Sequence, residues 1–399
     1  MTHQTDILII GAGLVGLSTA LACAHKGAQV ILIDRADPYK ALEAGFDGRA
    51  SAIAAGCYDM FRTLGLDMET LHAQPMNDIV IAEGEVGYAL LAGLHLDAET
   101  EAPTGYMVEN RRLRKALLDR ISKTKAITLQ APVLLESWQD ERRHIVAQVS
   151  DKTRVEAAIL VAADGRESRI RRQIGIETQS WSYAQKALTT TLQHSKPHDG
   201  VARQFFFPSG PLALLPLSDN RTSLVWSDEV AAIDAALALD VPAFLSELER
   251  RIGDVFGEVA ICAPRVAYPL GLMLAEQYHK GRCALIGDAA HVIHPLAGQG
   301  LNLGLRDAAV LADIISEARG LGLDMGGATL AEYGHRRAFD TQLMATSTDM
   351  LNRIFKLNTP LMRGLRRAGL KTVEAVPGLR NAVASEAAGR SGELPSLMR

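Results

Sequence analysis

The sequence lacks the features that announce several protein classes. Its 399 residues hold four cysteines, Cys23, Cys57, Cys262 and Cys283, widely scattered. With no CxxC pair and no zinc-like spacing, they argue against a disulfide framework or a redox dithiol and for reduced cytoplasmic thiols. Neither sign of charge dominates: 42 Lys plus Arg face 46 Asp plus Glu, a net charge of −4. That balance gives no general attraction to nucleic acid. No HExxH occurs. His291 and His294 lie three apart, before Pro295 and with no third ligand nearby, which makes a metal site a poor reading. Long apolar runs are scarce as well. Ile7 to Ala24 carries no charge, but three glycines interrupt it and no Lys or Arg precedes it. A buried strand, a tight turn and a buried helix explain it better than a membrane span or a secretory signal.

What is present is ordinary for a soluble globular protein, with 48% hydrophobic and 22% charged residues. The length suggests about two or three folding units. The N-terminus reads DILIIGAGLVGLSTALACAHKGAQVILIDR. Ile7 to Ile10 is a parallel-strand candidate, a helix is expected from about Leu14 to His25 with Gly27 as its cap, and Gln29 to Asp34 is the second strand. Gly11, Gly13 and Gly16 form GxGxxG within this βαβ unit. Gly11 allows the tight turn, Gly13 a close approach of backbone to a pyrophosphate, and Gly16 close packing of helix on strand. The helix N-terminus offers N–H groups and positive potential to that anion. Asp34 closes the second strand, where an acid accepts from a ribose 2′-OH, favouring FAD or NAD over NADP.

Further along, residues 127–163 read as a small β-meander with turns at Gln139–Glu141 and Ser150–Lys152, ending in an apolar strand before Asp164-Gly165. Another strand-turn-helix unit runs from Cys283 through Gly287-Asp288, with a helix from near Leu301 to near Gly320. Segments 76–105 and 180–270 carry strand candidates (IVIA, RQFFF, LALLPL, TSLVWS) separated by Pro, Gly and Asn turns. The expected class is α/β: a Rossmann-like βαβ FAD-binding domain over 1–75, 106–179 and 271–345, an inserted, mostly antiparallel β-sheet substrate domain over 76–105 and 180–270, and a helical C-terminal tail over 346–399.

GxGxxG, then DG, then GD, each after an apolar strand, resembles the single-component aromatic flavin monooxygenases. Within them, GDAAHVIHPLAGQGLNLGLRD at 287–307 resembles the ubiquinone-biosynthesis hydroxylases of the UbiH/UbiF type. DGRASAIAAG at 47–56, GYMVENRRLRKAL at 105–117 and FFFPSGPLALLPLSDNRTSLVWS at 205–227 extend the likeness along most of the chain. Cys57 stands where relatives commonly have Ser, and Asp67 where Trp is frequent.

The resemblance implies that Gly11, Ala12, Gly13, Leu14, Val15 and Gly16, with Asp34 and Arg35, hold the ADP half of FAD. It implies Arg49 near the pyrophosphate with Asn110 or Arg111 alongside, and Asp164 and Gly287 at the two turns. Asp288 would hydrogen-bond the ribityl-pyrophosphate region. Gly298, Gln299, Gly300, Leu301 and Asn302 would border the flavin, the last three presenting N–H groups to its pyrimidine edge, where charge accumulates on reduction. Pro295 would face the reactive flavin carbon through its carbonyl and is the catalytic candidate, with His294 beside it. NAD(P)H would dock transiently, since no second GxGxxG occurs, and Arg166, Arg169, Arg171 and Arg172 are candidates for its phosphates. Phe205 to Phe207, Leu212 to Leu217 and Trp226 form a candidate apolar wall, with Phe207, Leu214, Pro216 and Leu296 as substrate-binding candidates; each has ordinary core packing as its rival reading.

The implied reaction uses NAD(P)H and O2 to hydroxylate the ring of a polyprenylated phenol or benzoquinol in ubiquinone biosynthesis. The competing readings are another FAD enzyme of this fold, such as a prenyl reductase or a hydroxylase of a small soluble phenol, and a flavin-binding assembly subunit. A halogenase-type WxWxIP motif is absent. Between Asn352 and Arg380 stand Arg353, Lys356, Arg363, Arg366, Arg367, Lys371 and Arg380 against Glu374 alone. A basic amphipathic helix at the inner membrane face, docking to a quinone-synthesis complex, and a homo-oligomer are therefore candidates.

Overall fold

Apolar runs at the N-terminus pair in parallel. Strand β1 (Thr2–Ile10) lies beside β2 (Val30–Ile33), with Ile7 opposite Val30 and Ile10 opposite Ile33, and helix α1 (Leu14–His25) crosses between them. The computed structural model describes residues 2–43, 45–83, 94–96, 102–294, 298–356 and 359–399. The sheet continues from β1 to Arg154–Ala162 and Cys283–Leu285, and from β2 to Ile127–Gln130. Ile7, Leu8, Ile9, Ile159, Leu160 and Val161 are all fully buried. Cover on both faces is why these strands read as continuous apolar runs rather than alternating ones.

The expected meander is one strand shorter. Ile127–Gln130 pairs in parallel with β2, and only Leu135–Asp140, Ile145–Val149 and Arg154–Ala162 form the antiparallel wing. Gln139 and Asp140 end a strand, and the turn falls on the next residues, with Arg142 at φ 66°. Exposed polar residues at a strand end have the composition of a turn, so the sequence alone does not separate the two.

In the second large sheet, Val266–Ala275, Thr178–His194, Arg221–Glu229, Gly210–Leu217 and Val201–Phe207 run antiparallel in that order, and Asp78–Glu83 joins the last in parallel. One face carries Phe205, Phe207, Leu212, Leu214, Leu224 and Trp226 into a closed core roofed by Ile233, Phe244 and Leu248 of the helices Val230–Ala238 and Val241–Ile252. Two-residue alternation sends Gln204, Phe206 and Leu215 to the opposite face, where they border a cavity. A small sheet of Ala50–Ala54, Gly105–Glu109 and Gln74–Met76 closes the space between the large ones.

The helix Gln299–Gly320 packs on α1, an approach close enough that a Cβ on Gly304 would lie 2.7 Å from a Val15 methyl. Helices Ala328–Lys356, Pro360–Ala375 and Pro377–Ala387 follow, and the last residues fold back to bury Leu397 and Met398. The basic tail is partly turned inward. Arg366 is buried, paired with Glu83 and donating to the Ile354 carbonyl at 3.2 Å, while Arg353 pairs with Asp349 at 2.7 Å. The side chains of Lys356, Arg363 and Arg367 lie outside the described residues. No described helix is long and apolar enough to cross a membrane.

The two faces of the second sheet should separate in a mutational test. Phe207→Ala, in the closed core, should destabilise by about 3–5 kcal/mol in chemical denaturation. Phe206→Ala, bordering the cavity, should cost clearly less; equal losses would contradict the assignment of faces.

Candidate functional site

Two of the three glycines of the N-terminal turn are dictated by packing. A Cβ on Gly11, which sits at φ 110°, would lie 2.3 Å from the Ala163 carbonyl oxygen, and one on Gly16 would lie 1.9 Å from that of Gly11. Gly13 is different, because nothing stands within 4 Å of where its Cβ would be. It borders a cleft of about 470 Å³ together with Gly11, Asp34, Arg35, Asp164 and Gly165. Asp34 holds the turn, accepting from the Ala12 N–H at 2.6 Å and the Ala36 N–H at 2.8 Å. Leu14 and Val15 pack inward against the core.

Arg114, absent from the sequence-derived set, reaches the same turn. Its Nη1 donates to the Ala12 carbonyl at 3.2 Å. Burial and then the charge of Arg49 pull its pKa down, while Asp34 and Asp47 act in the opposite sense. Arg49 is exposed and forks onto Asp47 through Nε and Nη2, each at 2.6 Å. Asn110 begins the helix Asn110–Ser122, donates its N–H to the Arg49 carbonyl at 3.0 Å and accepts from the Ser51 hydroxyl at 2.6 Å. Arg111 is engaged within the protein. Arg114 follows Asn110 by four residues and Arg111 by three, hence on the same side of the helix. That spacing is the signal that would have found it.

Ser168 caps the short helix Arg169–Gln173, accepting from the Arg171 N–H at 3.0 Å, and Asp164 steadies its start, accepting from the Arg169 N–H at 2.9 Å. Of the four arginines there, Arg171 donates to the Ala289 and Arg166 carbonyls and Arg172 to those of Ser168 and Glu167. Arg166 and Arg169 remain at the surface. The charge of Arg166 is felt at both Tyr268 and Asp288. Asp288 is exposed, but only to a recess. The surrounding protein desolvates the carboxyl and raises its pKa, an effect that His291 and Arg166 oppose.

Behind that turn lies a fully buried carboxylate, Asp307. It accepts from the Gly287 N–H at 2.8 Å, from His291 Nε2 at 2.7 Å and from Arg337 Nε at 2.7 Å. Burial alone would raise its pKa, yet His291 and Arg337 outweigh burial and hold it down at about 2. His291 is thereby a structural partner, and among the described residues no His/Cys/Asp/Glu group could hold a metal. His294 is buried with its ring edge-on to Tyr183, centroids 5.1 Å apart. Pro295 and Leu296 lie outside the described residues.

Gly298, at φ 65°, turns the chain into the helix Gln299–Gly320. By the helical pattern the N–H groups of Gly300 and Leu301 have no partner within the helix, while that of Asn302 returns to the Gly298 carbonyl. The Asn302 side chain pins the helix start to the strand Ala50–Ala54, donating to the Ala52 carbonyl at 2.9 Å and accepting from the Ala54 N–H at 3.0 Å. Cys57 lies beside it, and burial pushes its thiol up to about 12, which leaves it unreactive.

Two cavities meet at this helix start. One, of about 300 Å³, is bordered by Ser51, Tyr268, Asp288, Gly298, Gly300 and Leu301. The other, of about 430 Å³, is almost wholly apolar; its walls come from Met76, Ile79, Ile81 and Phe206, from Met344 and Leu351, and from Val383 and Ala387. Of the expected wall, Phe205, Phe207, Leu212, Leu214 and Trp226 belong instead to the closed core, and Pro216 shares the parity of Leu214. Phe206 and Leu215 of the same runs do border the chamber. The space over Gly13 and Gly300, the Arg114 cation at the turn and the N–H groups at the helix start together fit a dinucleotide with a diphosphate and a ring that accepts hydrogen bonds.

Comparison with known proteins agrees with this geometry. Residues 4–347 match the model of the family described as FAD binding domain. The chain is 43% identical to ubiquinone hydroxylase UbiL of Rhodospirillum rubrum, over 99% of this chain and 92% of that one. It is 34% identical to 3-demethoxyubiquinol 3-hydroxylase of Escherichia coli, over 94% and 96%. The solved structure of p-nitrophenol 4-monooxygenase PnpA from Pseudomonas putida superposes with a TM-score of 0.79 at 18% identity, covering 98% of this chain and 100% of that one, a likeness of fold.

Asp307 should dominate acid stability. Its pKa in the folded protein, about 2, lies below the ordinary 3.8. Its contribution is therefore full above that ordinary value and is lost as pH falls toward 2. Asp307→Ala should cost about 3–5 kcal/mol near neutral pH, because Arg337 is left buried and unpaired. Urea titrations at several pH values check both, and an unchanged midpoint would refute them.

Proposed function

The chain belongs to the FAD binding domain family, and from that premise we propose that it is an FAD-dependent aromatic-ring monooxygenase of ubiquinone biosynthesis. It uses NAD(P)H and O2 to hydroxylate a polyprenylated phenol or benzoquinol. One oxygen atom enters the ring and the other leaves as water. The observation that carries the reading is the adjacency of the glycine-bordered cleft to a chamber with an apolar lining. A polar cofactor edge and a lipid-like substrate need such neighbouring compartments.

Bound FAD supplies the redox chemistry, taking two electrons from NAD(P)H and activating oxygen for transfer. The protein's part is binding, orientation and exclusion of water. The N-terminus of α1, with the backbone of Gly11, Ala12 and Gly13, would hold the diphosphate, and Arg114 and Arg49 would add positive charge. Asp34, with Arg35 beside it, would accept from the adenosine ribose; a carboxylate has lone pairs beyond the two already used. Asp288 would accept from the ribityl chain. The free N–H groups of Gly300 and Leu301 would face the flavin's pyrimidine edge, where the positive end of the helix favours added negative charge. Pro295 and Leu296 would stand at the site of oxygen transfer. Arg166, with Tyr268 near Asp288, suits a docking face for NAD(P)H.

The parallel-sheet unit would serve as the FAD domain and the second sheet as the substrate domain, with the C-terminal helices closing the chamber. Exposed Phe339, Leu343, Met350 and Leu351 on the helix Ala328–Lys356 support a peripheral contact, with a membrane or a partner protein, near the chamber wall.

With 18O-labelled dioxygen, NAD(P)H and a prenylated phenol, the product should gain one labelled oxygen; label from water, or a gain of two hydrogens, would exclude the mechanism. Arg114→Met and Asp288→Ala should each weaken FAD binding to the apoprotein about 10- to 100-fold, the loss of one charge-assisted hydrogen bond. Fluorescence titration checks this, and unchanged affinity would remove the residue from the site.

A further inference from the structure

The two cavities share three described residues, Ala52, Gln204 and Leu215. Two are apolar, so among the described residues Gln204 is the only polar side chain at the junction. Its setting is unusual for a strand residue. Phe205 beside it is buried in the closed core, and the partners across from Gln204 are Ala213 and Ile81, which offer no hydrogen bond from their side chains. The amide Nε2 donates only to the Leu212 carbonyl at 3.4 Å, longer than a usual N–H···O bond, and Oε1 accepts no hydrogen bond among the described residues. Of the other polar groups along the chamber, the Thr348 hydroxyl donates to the Met344 and Ala345 carbonyls, the Asn302 amide is held by the strand Ala50–Ala54, Arg203 donates to the Val201 carbonyl and Glu386 accepts from the Ser391 hydroxyl, while Ser347 borders the chamber away from the smaller cleft. Gln299 borders the chamber but not the smaller cleft.

We propose that Gln204 is the substrate-orienting residue, its Oε1 accepting the ring hydroxyl of the prenylated phenol while the apolar tail fills the larger chamber. This rests on the substrate reading given above. An amide set in an apolar wall is poorly solvated until a ligand completes its hydrogen bonds. A phenol is the right complement, since its O–H donates to the oxygen that lacks a partner. The arrangement also sets polarity of entry. The hydroxyl end stops at the junction, beside the cleft bordered by Gly300 and Leu301, and the tail has an almost wholly apolar surface to occupy. A site built to hydrogen-bond a hydroxyl discriminates strongly against the analogue lacking it.

The test compares 2-geranylphenol with geranylbenzene, binding each to the FAD-loaded enzyme by calorimetry. Wild type should prefer the phenol by about tenfold or more. Gln204→Leu should lose that preference by weakening the phenol alone, with geranylbenzene affinity within about twofold of wild type and FAD still bound. Gln204→Glu, which keeps an acceptor, should retain the preference, and it serves if the leucine variant does not fold. Preference surviving in Gln204→Leu, equal weakening of both ligands, or equal binding of both by wild type would each overturn the proposal. Wild type binding neither ligand while binding FAD would instead sink the substrate reading itself.

Discussion

The carboxylate of Asp307 is withdrawn entirely from solvent and meets donors from two other stretches of chain: the Gly287 N–H and the His291 ring, four residues apart in one segment, and the Arg337 guanidinium. Both stretches reach toward the cavities. The segment of Gly287 and His291 carries Asp288 and Val292 at the smaller cleft, and Arg337 lies on the helix whose later turns wall the chamber. A buried charge is tolerable only when its partners are all in place, so this one fixes both stretches to its own helix together or not at all. Glycines extend the constraint toward the nucleotide end. Val15 of α1 packs against both Gly287 and Gly304, at distances where a Cβ on Gly304 would collide. The clefts at the two ends of the site are thus held in one frame.

The second sheet shows how a single strand serves stability and specificity at once. In Val201–Phe207, alternate side chains go to the closed core and to the chamber, and Gly210–Leu217 repeats the pattern. Core residues supply the apolar burial that keeps the sheet rigid. The residues between them are free to be chosen for a ligand, which is how a lone glutamine comes to stand in an apolar wall without weakening the core behind it.

Much of the fold was legible in the sequence because it rests on local requirements. Gly11 and Gly16 are needed where any Cβ would strike backbone, and continuous apolar runs mark strands covered on both sides. The helix from Gln299 to Gly320 also lies where the pattern put it. Other features depend on parity or on distant packing. The expected wall took in Phe207 and Leu214 together with Phe206 and Leu215, since the runs Phe205–Phe207 and Leu212–Leu217 are apolar on both faces and the sequence carries no contrast between them. Arg366 read as part of a basic surface, but its partner, Glu83, is 283 residues away. The chamber walls contributed by Leu351 and Val383 come from the tail, and no local motif announces which sheet a tail helix will cover.

The most direct test of the account is where the substrate's tail lies. A prenylated phenol carrying a photoactivated diazirine in its tail can be cross-linked to the FAD-loaded enzyme and the labelled peptides mapped by mass spectrometry. Label on the segments around Ile79–Ile81, Met344–Leu351 and Val383–Ala387, suppressed by excess unlabelled phenol, is the expected result. Label confined to the exposed helix faces and indifferent to competitor would contradict the placement of the substrate beside the flavin cleft.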